Sequence, residues 1–70
     1  MKDHPKINEY WHITYGMGNN VADEIVKVIE NKIKLIPNNW YKNSFLCVDK
    51  NGNKLLVMGE CFVEQLNENW

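Results

Sequence analysis

Two cysteines, two histidines and nine carboxylates are the residues of this 70-residue chain best suited to chemistry. A thiol nucleophile could be assembled from Cys47 or Cys61 with His4 or His12. It would need a thiolate held by a neighbouring base in an accessible cleft. Cys47 instead sits between Leu46 and Val48 in a β-like run, the setting of a small buried hydrophobe. Two His and two Cys match the count of a tetrahedral zinc site, but neither pair has the C-x2-4-C or H-x3-5-H spacing of a finger. Asp49, Asn51, Asn53 and Glu60 fall at positions 1, 3, 5 and 12 of a would-be calcium loop, yet the required glycine stands at position 4 rather than 6. Thr14 and Ser44 are the only aliphatic hydroxyls and G-x-S-x-G is absent. No two carboxylates read as an acid and base pair. The chain is therefore expected to be neither an enzyme nor the holder of a metal or other cofactor.

Gly16-Met17-Gly18-Asn19-Asn20 follows a β-like run and precedes an amphipathic stretch, the order of elements that cradles phosphates in nucleotide folds. A dinucleotide fingerprint needs a third glycine, where this chain has Val21, and an acidic residue about 20 positions on, where it has Leu35 and Ile36. What survives is a generic anion site of bare N–H groups at Gly16, Gly18, Asn19 and Asn20, weighed against a plain turn ending in an N-cap.

The elements that must position these residues are read from periodicity. Tyr10 to Tyr15 is aromatic and β-branched, a strand with Trp11, Ile13 and Tyr15 on its core face. From Val21 to Ile36 the apolar residues cover about half a circumference at about 100° per residue. Strict alternation fails, because Val26 and Val28 would share a face with Glu24, Glu30 and Lys32. With Asn20 as N-cap and Pro37 as terminator, the spacing predicts a helix over 21–34. Asn51-Gly52 between two apolar runs predicts a hairpin over 45–58, through a two-residue turn or a turn with Gly52 in a bulge position. The segment from Glu60 to Trp70 reads equally as a short helical stripe or a strand.

Both faces of that hairpin are apolar: Phe45 and Cys47 on one, Leu46 and Val48 on the other, with Leu55 to Met58 filling both on the return. A single helix covers only one face, so another element or another protein must cover the second. Trp40-Tyr41, Trp70 and Met17 are the candidate anchors, because large aromatic side chains are favoured at interfaces, weighed against Trp40 folding back under the helix end to cap the core and Trp70 packing on the open sheet face.

Composition narrows the partner. All eight cations are lysines and there is no arginine, which with a net charge of −1 argues against a nucleic-acid reader. The Lys, Asn and Ile richness points to an AT-rich genome such as that of a low-GC bacterium or its phage. No apolar run suggests a signal peptide or a membrane span, so a cytoplasmic protein with reduced cysteines is expected.

The expected architecture is one α+β domain over 1–70 with a loosely held arm at 1–8. A three-stranded antiparallel sheet carries the helix on one face. The alternative is an SH3-like β-barrel, with the hairpin at 45–58, a short turn at 59–62 and a closing strand at 63–66. The expected function is a small non-enzymatic protein-binding regulator or inhibitor, phage or mobile-element encoded, that engages another protein or a second copy through an apolar sheet face. The alternatives are the anion or nucleotide site at Gly16–Asn20 and nucleic-acid binding by the barrel.

Overall fold

β-Branched residues crowd the stretch after Asn20, and in the fold their preference for extended backbone wins over the helical spacing. The structure, a computed structural model, describes residues 4–17, 20–31 and 37–70. In it β1 (Tyr10–Met17) and β2 (Asn20–Asn31) form an antiparallel pair from Met17↔Asn20 to Tyr10↔Lys27. The helix expected over 21–34 is therefore a strand as far as Asn31, and residues 32–34 lie outside the described ones.

Two local features let a strand form where strict alternation would bury charge. A register shift between Val28 and Glu30 makes Ile29 the extra residue of a bulge, so Glu30 pairs with Leu46 on the outer face instead of entering the core. Glu24 does share the face of Val26 and Val28, but at the strand's far end, where its carboxylate accepts the Tyr15 hydroxyl at 3.1 Å. Alternation holds between these points, and Val26 and Val28 are buried.

The remaining elements are β3 (Ser44–Val48), β4 (Lys54–Met58) and β5 (Phe62–Leu66), with 3-10 turns at Pro37–Lys42 and Gly59–Cys61. The sheet runs β4-β3-β2-β1-β5, antiparallel throughout. Five strands replace the three expected, and the protein is nearly all β instead of α+β. The hairpin over 45–58 is β3–β4. The closing strand of the barrel alternative corresponds to β5, but the ladders stop at β4 and β5, so the sheet is open and no barrel closes.

The sheet nevertheless curls on itself. Phe45 of β3 meets Phe62 of β5 edge-on at 5.3 Å, although β2 and β1 separate their strands, and Phe62 meets Trp11 in the same way at 5.6 Å. The core is the concave side: Trp11, Ile13, Val26, Val28, Phe45, Cys47, Val57 and Phe62. Tyr15, expected on that core face, is 43% exposed at its open end.

Of the arm expected at 1–8, residues 4–8 are described and tied down. Pro5 is fully buried, and the Asn8 N–H donates to the Val28 carbonyl at 2.7 Å. The Glu9 carboxylate accepts both the Lys6 N–H at 2.8 Å and the Trp11 indole N–H at 3.1 Å.

The β3–β4 turn is organised by Asp49. Gly52 at φ 85° donates its N–H to the Asp49 carbonyl, which selects the bulge form of the turn. One Asp49 carboxylate oxygen accepts the N–H groups of Asn51 and Asn53, each at 2.9 Å. The Asn53 N–H bond, aided by the Asn53 side chain and the Asn51 and Gly52 N–H groups, holds this carboxyl below the usual carboxylate range. A depressed native pKa gives stability that is present above the unfolded value of about 4 and lost as pH falls through the native one. Asp49→Ala is thus expected to melt below wild type at neutral pH, with the gap closing as thermal scans move to more acid pH. A gap that stays constant down to acid pH would show that the carboxylate's charge plays no part.

Candidate protein-binding edge

Among the described residues the two cysteines stand apart from the histidines and offer no thiolate beside a base. Cys47 is fully buried and burial pushes its thiol up to about 12, which removes the thiolate a nucleophile requires. Cys61 is half-buried, its thiol also raised by burial and by the charge of Glu60. Neither sulfur is in a disulfide. Among the described residues no group of three His, Cys, Asp or Glu side chains could hold a metal.

His12 stands on the outer face of β1, its Nε2 3.3 Å from an Asp23 oxygen and its Nδ1 4.0 Å from a Glu64 oxygen. It lines an open cleft of about 490 Å³ with Asp23, Glu24, Ile25, Asp49, Lys50 and Asn51. The carboxylates can orient the imidazole, and among the described residues of the lining there is neither a hydroxyl nor a thiol.

The expected anchors are dispersed. Trp40 packs on the core from the first 3-10 turn, while Tyr41 beside it is exposed and donates its hydroxyl to Asn39. Trp70 folds back edge-on to Tyr10 at 5.0 Å, and its carbonyl accepts the Tyr10 hydroxyl. Lys27 lies 5.6 Å over the other partner's ring, that of Tyr10, so this end of the outer face is covered. The Trp70 indole nitrogen is buried with no acceptor among the described residues. Met17 ends β1, and its side chain lies outside the described residues, as do Gly18 and Asn19. Gly16 and Asn20 sit in the β1–β2 ladder, so the helix N-terminus on which an anion site depended does not exist.

The β3–β4 end of the outer face stays open. Leu46 and Val48 are half-buried, Leu56 is 61% exposed and Met58 41%. β4 pairs only with β3 among the described strands and is an edge. The bonds that frame the hairpin set which way its backbone groups point. Asp49 donates to the Asn53 carbonyl at 3.0 Å and Gly59 to the Asn43 carbonyl at 2.8 Å. With the register Cys47↔Leu55 and Phe45↔Val57 between them, the hydrogen-bonded positions of β4 are Leu55 and Val57. Lys54, Leu56 and Met58 therefore turn their N–H and C=O groups toward the free edge. The Met58 N–H leans on the Cys61 sulfur, where it partly offsets the upward pressure on that thiol.

Beside this edge runs an apolar trough of about 390 Å³ lined by Leu55, Leu56, Val57, Met58, Tyr15 and Cys61. Tyr15 forms its far lip. The Tyr15 hydroxyl bond to Glu24, reinforced by that carboxylate's charge, raises its phenol above the usual range and keeps it a neutral donor. The two apolar faces of the hairpin, Leu55 to Met58 included, are legible in the sequence, whereas Tyr15 and Cys61 join its margin only through the fold. The available signal was Leu55-Leu56-Val57-Met58, four consecutive apolar residues in a strand whose alternate positions cannot all face inward.

Comparison with known protein families, characterised proteins and solved structures returns no match.

Proposed function

We propose that this chain is a non-enzymatic protein-binding regulator or inhibitor that captures an extended segment along β4. The carrying observation is that Leu56 is 61% exposed on a strand whose outer edge pairs with no other strand among the described residues, the Met58 N–H resting on the Cys61 sulfur. Sheet edges normally carry protection such as proline, a bulge or inward charge. β4 has neither a proline nor a register shift against β3, and Lys54 at its start is its one charge. Strand addition explains that bareness: the backbone edge supplies affinity, while the trough and the Leu56 and Met58 side chains select alternate apolar residues of the guest. Among the described residues no helix is long and apolar enough to cross a membrane, so the apolar surface is not part of such a span.

The test compares tagged wild type with Leu56→Lys as baits in a cell lysate. The exposed side chain can be changed without opening the core, so both baits are expected to melt alike. Proteins enriched on wild type should be lost from the lysine variant. Equal recovery on both baits would overturn the reading.

A further inference from the structure

Resting on that strand-addition reading, we propose that the segment β4 captures is β4 of a second copy, in an antiparallel pair whose two-fold axis passes through Leu56. Only Lys54, Leu56 and Met58 present backbone groups to the free edge, so a paired strand must match these positions to its own. The register centred on Leu56 engages all three positions, with the Met58 N–H exchanging the Cys61 sulfur for the Lys54 carbonyl of the second copy: Lys54 faces Met58 of the second copy, Leu56 faces itself, and Met58 faces Lys54. A register centred on Lys54 would set two ammonium groups side by side, which is unfavourable, and any other leaves part of the edge unpaired. The strand is thus self-complementary in backbone pattern, with its one charge set opposite a neutral side chain, as an isologous two-fold contact allows.

The side chains agree with the backbone. Leu46 is opposite Leu56 and Glu30 opposite Leu46, so one outer row reads Glu30, Leu46, Leu56. Through the two-fold axis that row continues as Leu56, Leu46, Glu30 of the second copy. Four leucines occupy the centre and the two carboxylates stand at the far ends, the apolar middle and charged rim of a protein interface. The aliphatic stem of each Lys54 lies across Met58 of the other copy with its ammonium in water.

Sedimentation velocity over about 1 to 200 µM tests this, with Leu56→Lys and Leu56→Glu as separate samples and as a mixture. Wild type should dimerise with rising concentration. Each charged variant alone should weaken association by at least about 100-fold, since position 56 then opposes its own charge. The equimolar mixture should regain a one-to-one dimer, because opposite charges meet at the axis. Amide exchange gives a readout that needs no variant: the Lys54 and Leu56 amides should slow as wild type is concentrated, while those of Leu55 and Val57, already bonded to β3, do not change. A wild type that stays monomeric, a dimer indifferent to the lysine variant, or variants that fail to re-pair on mixing would each overturn the second copy as occupant. If wild type is monomeric and Leu56→Lys still loses partners from a lysate, the edge reading stands and only the self-pairing falls. If the lysine variant changes neither, both fall.

Discussion

Phe45→Ala is expected to remove about 3–5 kcal/mol of folding stability, a large share of what a chain of this size commonly has. Phe45 is 1% exposed, so nearly all of its ring's transfer energy is lost, with a further cost for the cavity left behind. Its position magnifies the loss. The ring is the link between β3 and β5, meeting Phe62 at an interplanar angle of 71°, and through Phe62 it is joined to Trp11 on β1. Hydrogen bonds cannot hold those two sheet ends together, because they lie in different ladders. Edge-on aromatic pairs add about 0.5–1.5 kcal/mol beyond area, so Phe45→Leu should recover most but not all of the loss. Urea unfolding followed by far-ultraviolet circular dichroism would measure both variants. A loss below about 1 kcal/mol for the alanine variant would mean that the curl of the sheet does not depend on this contact.

Gly59→Ala is expected to cost about 2–3 kcal/mol although it adds a single carbon. A Cβ built on Gly59 would stand 2.6 Å from the Tyr41 Cα and closer still to the Trp40 carbonyl oxygen. Both are backbone atoms, so no side chain can swing aside, and the second 3-10 turn must back away from the first. Retreat would also strain the Gly59 N–H bond to Asn43, which closes the hairpin, and loosen Trp40 from the core. Gly52→Ala is the informative control, since a Cβ there meets open space and only its φ of +85° is unfavourable. That variant should lose about 1 kcal/mol in the same urea titration. Equal losses at the two glycines would show that backbone conformation, not crowding at Gly59, controls the effect.

The parts of the fold legible in the sequence are those governed by neighbours along the chain. The β3–β4 hairpin follows from Asn51-Gly52 between apolar runs, and Asp49, whose role was not foreseen, acts within the same few residues. The first strand and its Trp11 and Ile13 face are local alternation. β2 was misread because its period is broken by the bulge at Ile29, and a 3.6-residue pattern is what such a break imitates. One counter-signal stood in the chain: Gly18-Asn19, two turn-forming residues between apolar runs, marks a hairpin as readily as a helix start. Tyr15 reads as a core residue and Glu24 as a carboxylate that argues against a strand, and only the β1–β2 ladder made them hydrogen-bond partners.

The sequence by itself determined that the chain has one small core, that its second hairpin is apolar on both faces, that Cys47 lies inside, and that arginine-based recognition is closed to it. Tertiary structure decided which of the apolar faces remains open. Whether Leu56 is covered depends on where β5 and the tail to Trp70 pack, and they pair with β1 and stack on Tyr10, leaving the edge of β4 without a neighbouring strand among the described residues. Strand order is a choice among long-range pairings between residues far apart in the chain, so it depends on how the whole sheet curls over its core, a property no local window contains.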